Sequence, residues 1–498
     1  MRALIDPQLQ LGEVDIGALE FDCRSRDDIP RLLRGLQHIY TTGAVRERVF
    51  AILSEVVAVR ADGEAVSTET GRPGMTQWRM LVLGVLRLGL NADYDRITEL
   101  ANQHRSVRQL LGHSDWAEDG HLWNVQTLKD NLRLFTPEVL DRINQVVVEA
   151  GHALVQTGPE DTLAVRCDSF VVETDVHYPT DLNLLYDAMR KVIEISAGLC
   201  DGEGLSDWRQ SGHNIRCLKK VYRRLQQLKR SNAKDPDKRA TRIGLIEQLC
   251  RAYLELAQRF LERARLSRTR LHIGCRLPAA MFTALDDYIA HAERQIDQVR
   301  RRILFGENIP HAEKVFSIFE PHTEWINKGK AGVPVELGLR VTVSEDQFGF
   351  LLNQRVMQNE TDDQVAVPVV EDLARRYPRI HSVSFDKGYH SPANQRHLAE
   401  VIPLSVLPKK GKCNAAEHAR EHNPRFQRLR GQHAAVESAI NALEAHGLDR
   451  CPDHGIDGFK RYVALAVVAR NLHRLGAILL AEAAEAAAQE RRRKQRAA

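Results

Sequence analysis

The sequence predicts a mixed α+β fold, in which short β segments lie on either side of a long helical block. Residues 163–172 are rich in apolar and β-branched side chains, which is typical of a strand. Residues 335–357 alternate between apolar and polar side chains around a turn at Ser344–Gln347, as in a β-hairpin. Between these segments, the sequence from Asp181 to about Arg302 has almost continuous helical periodicity. The helical block is therefore a large insertion after the first strand.

Composition restricts the class of protein. The chain has 498 residues, of which 43% are hydrophobic and 27% are charged, as in soluble globular proteins of several domains. No apolar run approaches the roughly 18 to 20 residues that span a bilayer, so no membrane partner is expected. The eight cysteines occur singly, without a C-x-x-C pair, which argues against a zinc ribbon or a disulfide scaffold. We expect a cytoplasmic protein.

The charge is unevenly distributed along the chain. Residues 189–310 contain 25 Lys and Arg against 14 Asp and Glu, although the whole chain has a net charge of only +4. Residues 216–230 hold seven basic side chains and no acidic one. This segment predicts either a solvated helical face or a surface that binds DNA phosphates, and we favour the second. The candidate DNA-binding residues on it are Lys219, Lys220, Arg223 and Arg224.

The regions before and after the β segments are predicted to be helical. Residues 1–155 are predicted to form an all-helical DNA-binding region with a helix-turn-helix-like segment at about 92–112. Its second helix, with Arg105, Arg108 and Gln109, would enter a major groove. The alternative is an ordinary helical bundle. Residues 476–498 form a charged C-terminal tail.

The segments after the hairpin complete the predicted order. A helix capped by Thr361 or Asp363 leads to a strand that ends at Asp386, followed by a helix, a strand and one long helix across residues 431–448. This order is compatible with a ribonuclease-H-like catalytic domain over residues 156–475, with a basic helical insertion at about 185–310. In that arrangement, the first strand lies beside the strand that follows the first helix.

Three carboxylates then become candidates for one site. Adjacent strands would bring Asp168 and Asp386 together, and Glu437 on the last helix would complete the cluster. Carboxylate oxygens are the ligands that Mg²⁺ prefers, and two such ions can activate a nucleophile and stabilise a leaving group in phosphodiester chemistry. Asp175 and Asp181 compete with Asp168, and Glu444 competes with Glu437.

Several long motifs carry a resemblance to a known family. These motifs read SIFEPHTEWINKGKAGVPVELG, SFDKGYHSPANQ, VLPKKGK and VESAINALEAHGLDRC. Together with segments around residues 71–104 and 168–185, they resemble the DDE-type insertion-sequence transposases of the ISNCY group, over residues 45–476. The resemblance implies a retroviral-integrase-like fold, Mg²⁺ (or Mn²⁺) as cofactor, and strand transfer at terminal inverted repeats. It also implies that DNA is the partner, with at least a homodimer holding two element ends.

By position, the resemblance makes Asp168, Asp386 and Glu437 the catalytic and metal-binding residues. Lys387 and Tyr389 are expected to flank either the scissile phosphate or the flipped end of the transposon. Further candidate DNA contacts are Lys328, Lys330 and Arg430. The family pattern of a Tyr and an Arg before the glutamate is not matched cleanly, because Arg430 and His433 stand before Glu437.

Three functions fit these observations. The first is a transposase that cleaves element ends and joins their 3′-OH groups to target DNA. The second is a metal-dependent nuclease on the same fold, without strand transfer. The third is a DNA-binding regulator without catalysis, and the complete set of three carboxylates argues against it.

Overall fold

The computed structural model describes residues 3–5, 13–57, 74–113, 122–155, 161–230, 235–271, 278–327 and 335–497. Lys328 and Lys330 lie outside these residues. The chain divides into two compact units. The first unit consists of Met1–Asp175 together with Ile326–Ala498, and the second unit is Val176–Trp325. The predicted insertion at about 185–310 falls within the second unit.

The elements up to the first strand are seven α-helices and β1, among the residues described. They are α1 (Asp28–Thr41), α2 (Gly43–Leu53), α3 (Gln77–Gly89), α4 (Tyr94–Gln103), α5 (Arg105–Leu110), α6 (Val125–Leu132), α7 (Pro137–Val155) and β1 (Leu163–Thr174).

The second unit is helical, as predicted, and ends in the first residues of a short strand. Its elements are α8 (Asp181–Gly202), α9 (Ser211–Arg230), α10 (Pro236–Arg270), α11 (Ala279–Val299) and β2 (Glu324–Asn327).

The remaining elements alternate between strands and helices. They are β3 (Val335–Glu345), β4 (Leu351–Met357), α12 (Asp362–Arg376), β5 (Ile380–Phe385), α13 (Pro392–Val401), β6 (Leu404–Val406), α14 (Ala415–Glu421), α15 (Pro424–His433), α16 (Ala435–Leu443), β7 (Arg450–Cys451) and α17 (Gly455–Ala497).

The strands form one mixed sheet with β1 near its centre. The strand order is β2-β3-β1-β5-β6, while β4 pairs with β3 and β7 pairs with β1. Strand β1 runs antiparallel to β3 and parallel to β5. The predicted first strand, the hairpin of β3 and β4, and the neighbouring positions of β1 and β5 are therefore confirmed.

Helix α17 lies in the core of the first unit, where it packs against α1, α3 and α7. It is long and apolar enough to cross a membrane by length and composition, but 78% of its apolar window is buried inside the protein. Two glycines let α1 and α17 approach closely. A methyl group at Gly35 would overlap the carbonyl oxygen of Leu472, and one at Gly476 would overlap that of Arg31.

A buried amide network joins the N-terminal helices to the sheet. The Nδ2 of Asn471 on α17 donates to Oδ1 of Asn144 on α7 at 2.7 Å and to the carbonyl oxygen of Leu351 on β4 at 2.8 Å. The Leu351 amide donates back to Asn471 Oδ1 at 2.9 Å. The same hydrophobic core also runs through both regions, and the described residues on either side of position 155, up to Asp175, belong to one compact unit.

Two helical predictions need correction. Helices α4 and α5 break at His104 as expected, but Arg108 and Gln109 are each only 8% exposed. Arg108 donates to the carbonyl oxygen of Asn102 at 3.1 Å, so these two side chains are packing residues and do not read a DNA groove. The predicted long helix over residues 431–448 is interrupted, because α15 ends at His433 and α16 begins at Ala435.

Candidate active site

The parallel pairing of β1 with β5 places two of the predicted carboxylates side by side. The last pair in the register is Cys167 with Phe385, so Asp168 and Asp386 are the next residues on the two neighbouring strands. Asp386 is exposed and ends β5, directly before a short 3₁₀ turn at Lys387–Tyr389. The sheet therefore brings together two residues that are 218 positions apart in the chain.

Electrostatic interactions define the neighbourhood of Asp168. Burial is the main reason that its pKa is raised to about 6, and the negative charges of Asp386, Asp362 and Glu437 raise it further. The backbone amide of Ser169 donates to Asp168 Oδ1 at 2.8 Å, and this hydrogen bond lowers the pKa. The carboxylates of Asp386, Asp362 and Glu437 are therefore near enough to Asp168 to act on its charge, and these four residues are called the acidic cluster below.

Glu437 reaches this cluster from the first turn of α16, which packs against β1. The break between α15 and α16 determines where that turn begins: the Glu437 amide donates to the carbonyl oxygen of Ala434 at 3.2 Å. The side chain of Glu437 is exposed. Its position next to Asp168 is compatible with its predicted role.

The competing acidic residues have other partners. Asp175 forms an ion pair with Arg450 at 3.5 Å. Asp181 pairs with Arg302 at 2.7 Å, within the second unit. Asp168 is thus the better candidate on geometry, and its catalytic role stays a prediction.

Asp362 is a site residue that sequence reasoning missed. It is the first residue of α12, and its Oδ1 accepts a hydrogen bond of 2.7 Å from Ser169 Oγ. Gly388 leaves room for it, since a Cβ there would lie 3.2 Å from Asp362 Oδ2. The sequence signal was the acidic pair after Thr361, which we interpreted only as a helix cap.

The buried position of Tyr389 contradicts its predicted role as a DNA contact. Its side chain is 1% exposed, and its hydroxyl lies 2.8 Å from Thr342 Oγ1 on β3. Its ring packs against Phe385, with ring centroids 5.1 Å apart. Tyr389 therefore supports the sheet beneath the acidic cluster, whereas Lys387 beside it is exposed and remains available to DNA.

The other predicted DNA-binding residues are distributed as follows. Arg430 on α15 is paired with Glu421 at 3.6 Å and is partly exposed. In the second unit, one side of α9 lines an open cavity of about 500 Å³. None of its basic side chains makes an ion pair within the described part of the chain. These residues are Lys219, Lys220, Arg223 and Arg224, together with Arg216.

His433 lies at the same cluster, at the end of α15. Its Nδ1 is 3.1 Å from Ser384 Oγ on β5, and its Nε2 is buried without a hydrogen-bond partner among the residues described. Burial lowers the pKa of His433, while the nearby carboxylates of Asp386 and Glu437 oppose that shift. A neutral imidazole fits this environment.

The donor atoms of the acidic cluster fit a hard divalent cation. All its carboxylates supply oxygen, and a cation would offset the repulsion that raises the pKa of Asp168. As the side chains stand, the described residues contain no group of three His, Cys, Asp or Glu that could hold a metal ion. Asp386 and Glu437 are both exposed, so their side chains are free to reorient toward a shared ion.

Comparison with known proteins gives one family. Residues 317–472 match the family model described as transposase DDE domain, and this segment contains Asp386 and Glu437. Neither the curated proteins nor the solved structures include a match to the chain. The family match supports a DDE-type transposase and implies a ribonuclease-H-like fold for the sheet that carries these residues.

We predict that Asp168→Asn stabilises the metal-free protein at neutral pH. An aspartate whose folded pKa is about 6, against an ordinary 3.8, contributes stability below pH 3.8 that is lost as the pH rises toward 6. At pH 7.5 the substitution should raise the free energy of unfolding by up to about 3 kcal/mol. At pH 3.5 it should have almost no effect. Urea unfolding in EDTA at both pH values measures this difference.

The matched control is Asp175→Asn, which removes an exposed ion pair and should change stability by less than about 1 kcal/mol. Added Mg²⁺ should raise the free energy of unfolding of the wild type more than that of Asp168→Asn. The cation offsets the repulsion among the carboxylates, and the variant has one carboxylate fewer. A stabilisation by Asp168→Asn that is the same at both pH values would contradict the prediction.

Proposed function

We propose that this protein is a DNA transposase of the ISNCY group that cleaves the ends of a mobile element and joins their 3′-OH groups to target DNA. One observation carries the proposal. Asp168 comes from outside the segment that matches the transposase domain, yet it is next to Asp386 through the β1–β5 pairing, and Glu437 acts on its charge from α16, which packs on β1. Three separated carboxylates in one cluster are what metal-dependent phosphodiester chemistry requires.

In this proposal Asp168, Asp386 and Glu437 hold Mg²⁺, with Mn²⁺ as a substitute. The bound metal supplies Lewis-acid stabilisation of charge on the phosphate and lowers the pKa of an attacking water or hydroxyl. The protein's own contribution is to hold the carboxylates in place. The hydrogen bond between Ser169 and Asp362 joins the start of α12 to β1 and fixes one side of the cluster.

DNA is proposed to be held by two sets of basic side chains. The exposed Lys387, which directly follows Asp386, and Arg430 on α15 are proposed to contact the scissile strand. The basic side of α9 is proposed to bind the phosphates of the terminal inverted repeats. Two element ends must be held together while they are joined to the target, so the active species is proposed to be at least a dimer. When bound to DNA, the protein would lie in the nucleoid.

The decisive experiment is a strand-transfer assay. Labelled element ends are incubated with a supercoiled plasmid and Mg²⁺, and joined products are separated on a gel. A transposase gives joined products, a nuclease gives only cleaved ends, and a DNA-binding regulator gives neither. Cleavage without joining would overturn the strand-transfer part of the proposal, and binding without cleavage would overturn the whole.

We predict that the basic side of α9 accounts for much of the salt dependence of DNA binding. Each phosphate contact adds about 0.9 to the slope of log affinity against log salt. Replacing Lys219, Lys220, Arg223 and Arg224 with Gln should therefore reduce that slope by about 3 to 4. Fluorescence anisotropy across a salt series measures it.

A matched control removes four positive charges that are already neutralised. Four arginines of α10 form ion pairs with acidic side chains of the same unit. These are Arg251, Arg265, Arg268 and Arg270. Replacing them with Gln should leave the salt slope nearly unchanged. If the slope fell equally in the α9 and the α10 variants, DNA binding would depend on net charge alone and the prediction would be wrong.

A further inference from the structure

The first unit contains a cavity that is separate from the acidic cluster. It has a volume of about 860 Å³, and every residue that lines it belongs to that unit. This volume is within the range of roughly 300 to 1,000 Å³ that is usual for small-ligand sites. The four residues of the acidic cluster are not in its wall. The wall holds six basic and five acidic side chains, so the charges that remain unpaired decide what the cavity can bind.

A buried ion pair forms the floor of the cavity. The side chains of Arg87 on α3 and Asp453 are 4% and 8% exposed, and Arg87 Nη2 lies 2.7 Å from Asp453 Oδ1. The Arg87 guanidinium also lies over two rings, 4.1 Å from the centroid of Tyr94 and 5.2 Å from that of Tyr462. Arg461 contacts the same carboxylate at 3.5 Å. Two guanidinium groups share one carboxylate, so this packed floor keeps part of a positive charge.

Most acidic side chains of the wall are already engaged within the protein. Asp175 forms an ion pair with Arg450 at 3.5 Å. Asp93, the N-cap of α4, accepts a hydrogen bond of 2.7 Å from a backbone amide of that helix. Asp449 accepts one of 2.8 Å from the amide of the next residue. Of the five, Asp457 on the first turn of α17 is left to oppose an anion, and it is exposed.

Three basic side chains of the wall are not engaged in this way. Arg96 is exposed on α4, Lys129 is on α6, and Arg133 is exposed at the C-cap of α6. The described ranges contain no ion-pair partner for any of the three. The Lys129 ammonium lies 5.4 Å from the centroid of the Tyr94 ring, and Arg461 Nη1 donates to the carbonyl oxygen of Arg133 at 3.4 Å. These contacts restrain two of the three cationic positions.

The ends of two helices add to the positive field. Helix α4 begins at Tyr94 and α17 begins at Gly455, and residues of both first turns line the cavity. The N-terminal end of a helix carries a partial positive charge, and its free amides can donate to an anion. With three unpaired cations against one unpaired carboxylate, the cavity favours an anion that has several acceptor oxygens.

We propose that this cavity binds a phosphate group, held by Arg96, Lys129 and Arg133. A phosphate presents acceptor oxygens to donors that approach from different sides, and guanidinium groups bind it through paired hydrogen bonds. The phosphate can belong to the DNA backbone or to a free phosphorylated molecule such as a nucleotide. The first source rests on the proposed function, because it takes DNA as the substrate, and the second source does not.

The test measures binding of inorganic pyrophosphate to the full chain by isothermal titration calorimetry. EDTA is present, so that no metal ion can bridge pyrophosphate to the acidic cluster. Replacing Arg96, Lys129 and Arg133 together with Gln should weaken binding by about tenfold or more, because hydrogen bonds between charged groups are lost. The α9 variant with four Gln substitutions should bind pyrophosphate like the wild type.

Asp457→Asn should change the affinity in the opposite direction. It removes the carboxylate that opposes the anion, so pyrophosphate should bind about threefold more tightly. A damaged fold could weaken binding but would not tighten it, so this variant separates the effect of charge from that of structure. The inference is wrong if pyrophosphate does not bind the wild type, binds the triple Gln variant equally well, or is not bound more tightly by Asp457→Asn.

DNA binding distinguishes the two sources of the phosphate. If the phosphate belongs to DNA, the triple Gln variant should lower the slope of log affinity against log salt by about 2 to 3. If it belongs to a free molecule, that slope should not change. The control replaces Arg24, Arg26 and Arg396 with Gln, which are exposed and outside the cavity. An equal fall in the control would reflect net charge and would assign the site to a free molecule.

Failure of this inference and failure of the proposed function give different results. Pyrophosphate binding in EDTA needs neither DNA nor catalysis, so a tenfold loss in the triple Gln variant would stand even if the protein joined no DNA ends. Conversely, strand transfer by a wild-type protein that binds no pyrophosphate would remove the phosphate site and leave the transposase assignment intact.

Discussion

Asp386→Asn is expected to abolish DNA cleavage and joining while leaving DNA affinity unchanged. Asp386 is at the end of β5, exposed, and adjacent to Asp168 in the sheet. An amide of the same shape keeps the fold but removes the negative charge that a divalent cation requires. The loss of several kcal/mol of transition-state stabilisation should slow the reaction by on the order of a thousandfold. A gel assay of labelled ends in Mg²⁺ measures the rate.

The control for this variant is Asp363→Asn, one residue from Asp362 at the start of α12. Asp363 accepts a hydrogen bond from Thr361 Oγ1 at 2.7 Å and is exposed. It should retain most of the activity. Full cleavage by Asp386→Asn would exclude both the transposase and the nuclease interpretations. Loss of DNA binding together with cleavage would make Asp386 a structural residue.

Gly476→Ala is expected to destabilise the first unit by more than about 3 kcal/mol, at the upper end of overpacking effects. The added methyl group would overlap the carbonyl oxygen of Arg31 on α1, and a backbone atom cannot move aside as a side chain can. The two helices would have to separate along a packed, buried contact. Thermal and urea unfolding followed by circular dichroism would measure the change.

A second glycine of α17 provides the matched control. A Cβ at Gly458 would meet its neighbours at 3.5 Å or more, which is ordinary contact. Gly458→Ala should therefore be neutral or stabilising by up to about 1 kcal/mol, because alanine favours the helix. Equal stability of the Gly476 and Gly458 variants would mean that close packing of α1 on α17 is not required.

The order of elements and the two aspartates could be predicted from the sequence because both depend on local patterns. Residues 163–172 and 380–385 are short segments in which apolar and β-branched side chains recur, and strands of this kind are recognised from composition and turn signals alone. Once the element order suggests that β1 lies beside β5, the adjacency of Asp168 and Asp386 follows from position along each strand. The structure has this pairing.

The predictions that failed depend on which way a side chain points. Tyr389 is three residues from Asp386, but the 3₁₀ turn directs it into the core, where Thr342 accepts or donates its hydrogen bond. Asp362 had the sequence of a helix cap, and only the hydrogen bond that it accepts from Ser169 on β1 joins it to the cluster. Arg108 has its charge satisfied by a carbonyl oxygen, which no sequence pattern indicates.

The central position of β1 has a consequence for synthesis of the chain. The strands that pair with it all come much later in the chain, and the earliest two, β3 and β5, begin only at Val335 and Ile380. At roughly 5 to 20 residues per second, a ribosome needs on the order of ten seconds or more after Thr174 before the first of them emerges. During that interval both edges of an apolar strand are open to pairing with other nascent chains. The helical second unit, with its separate core, has that time in which to fold first.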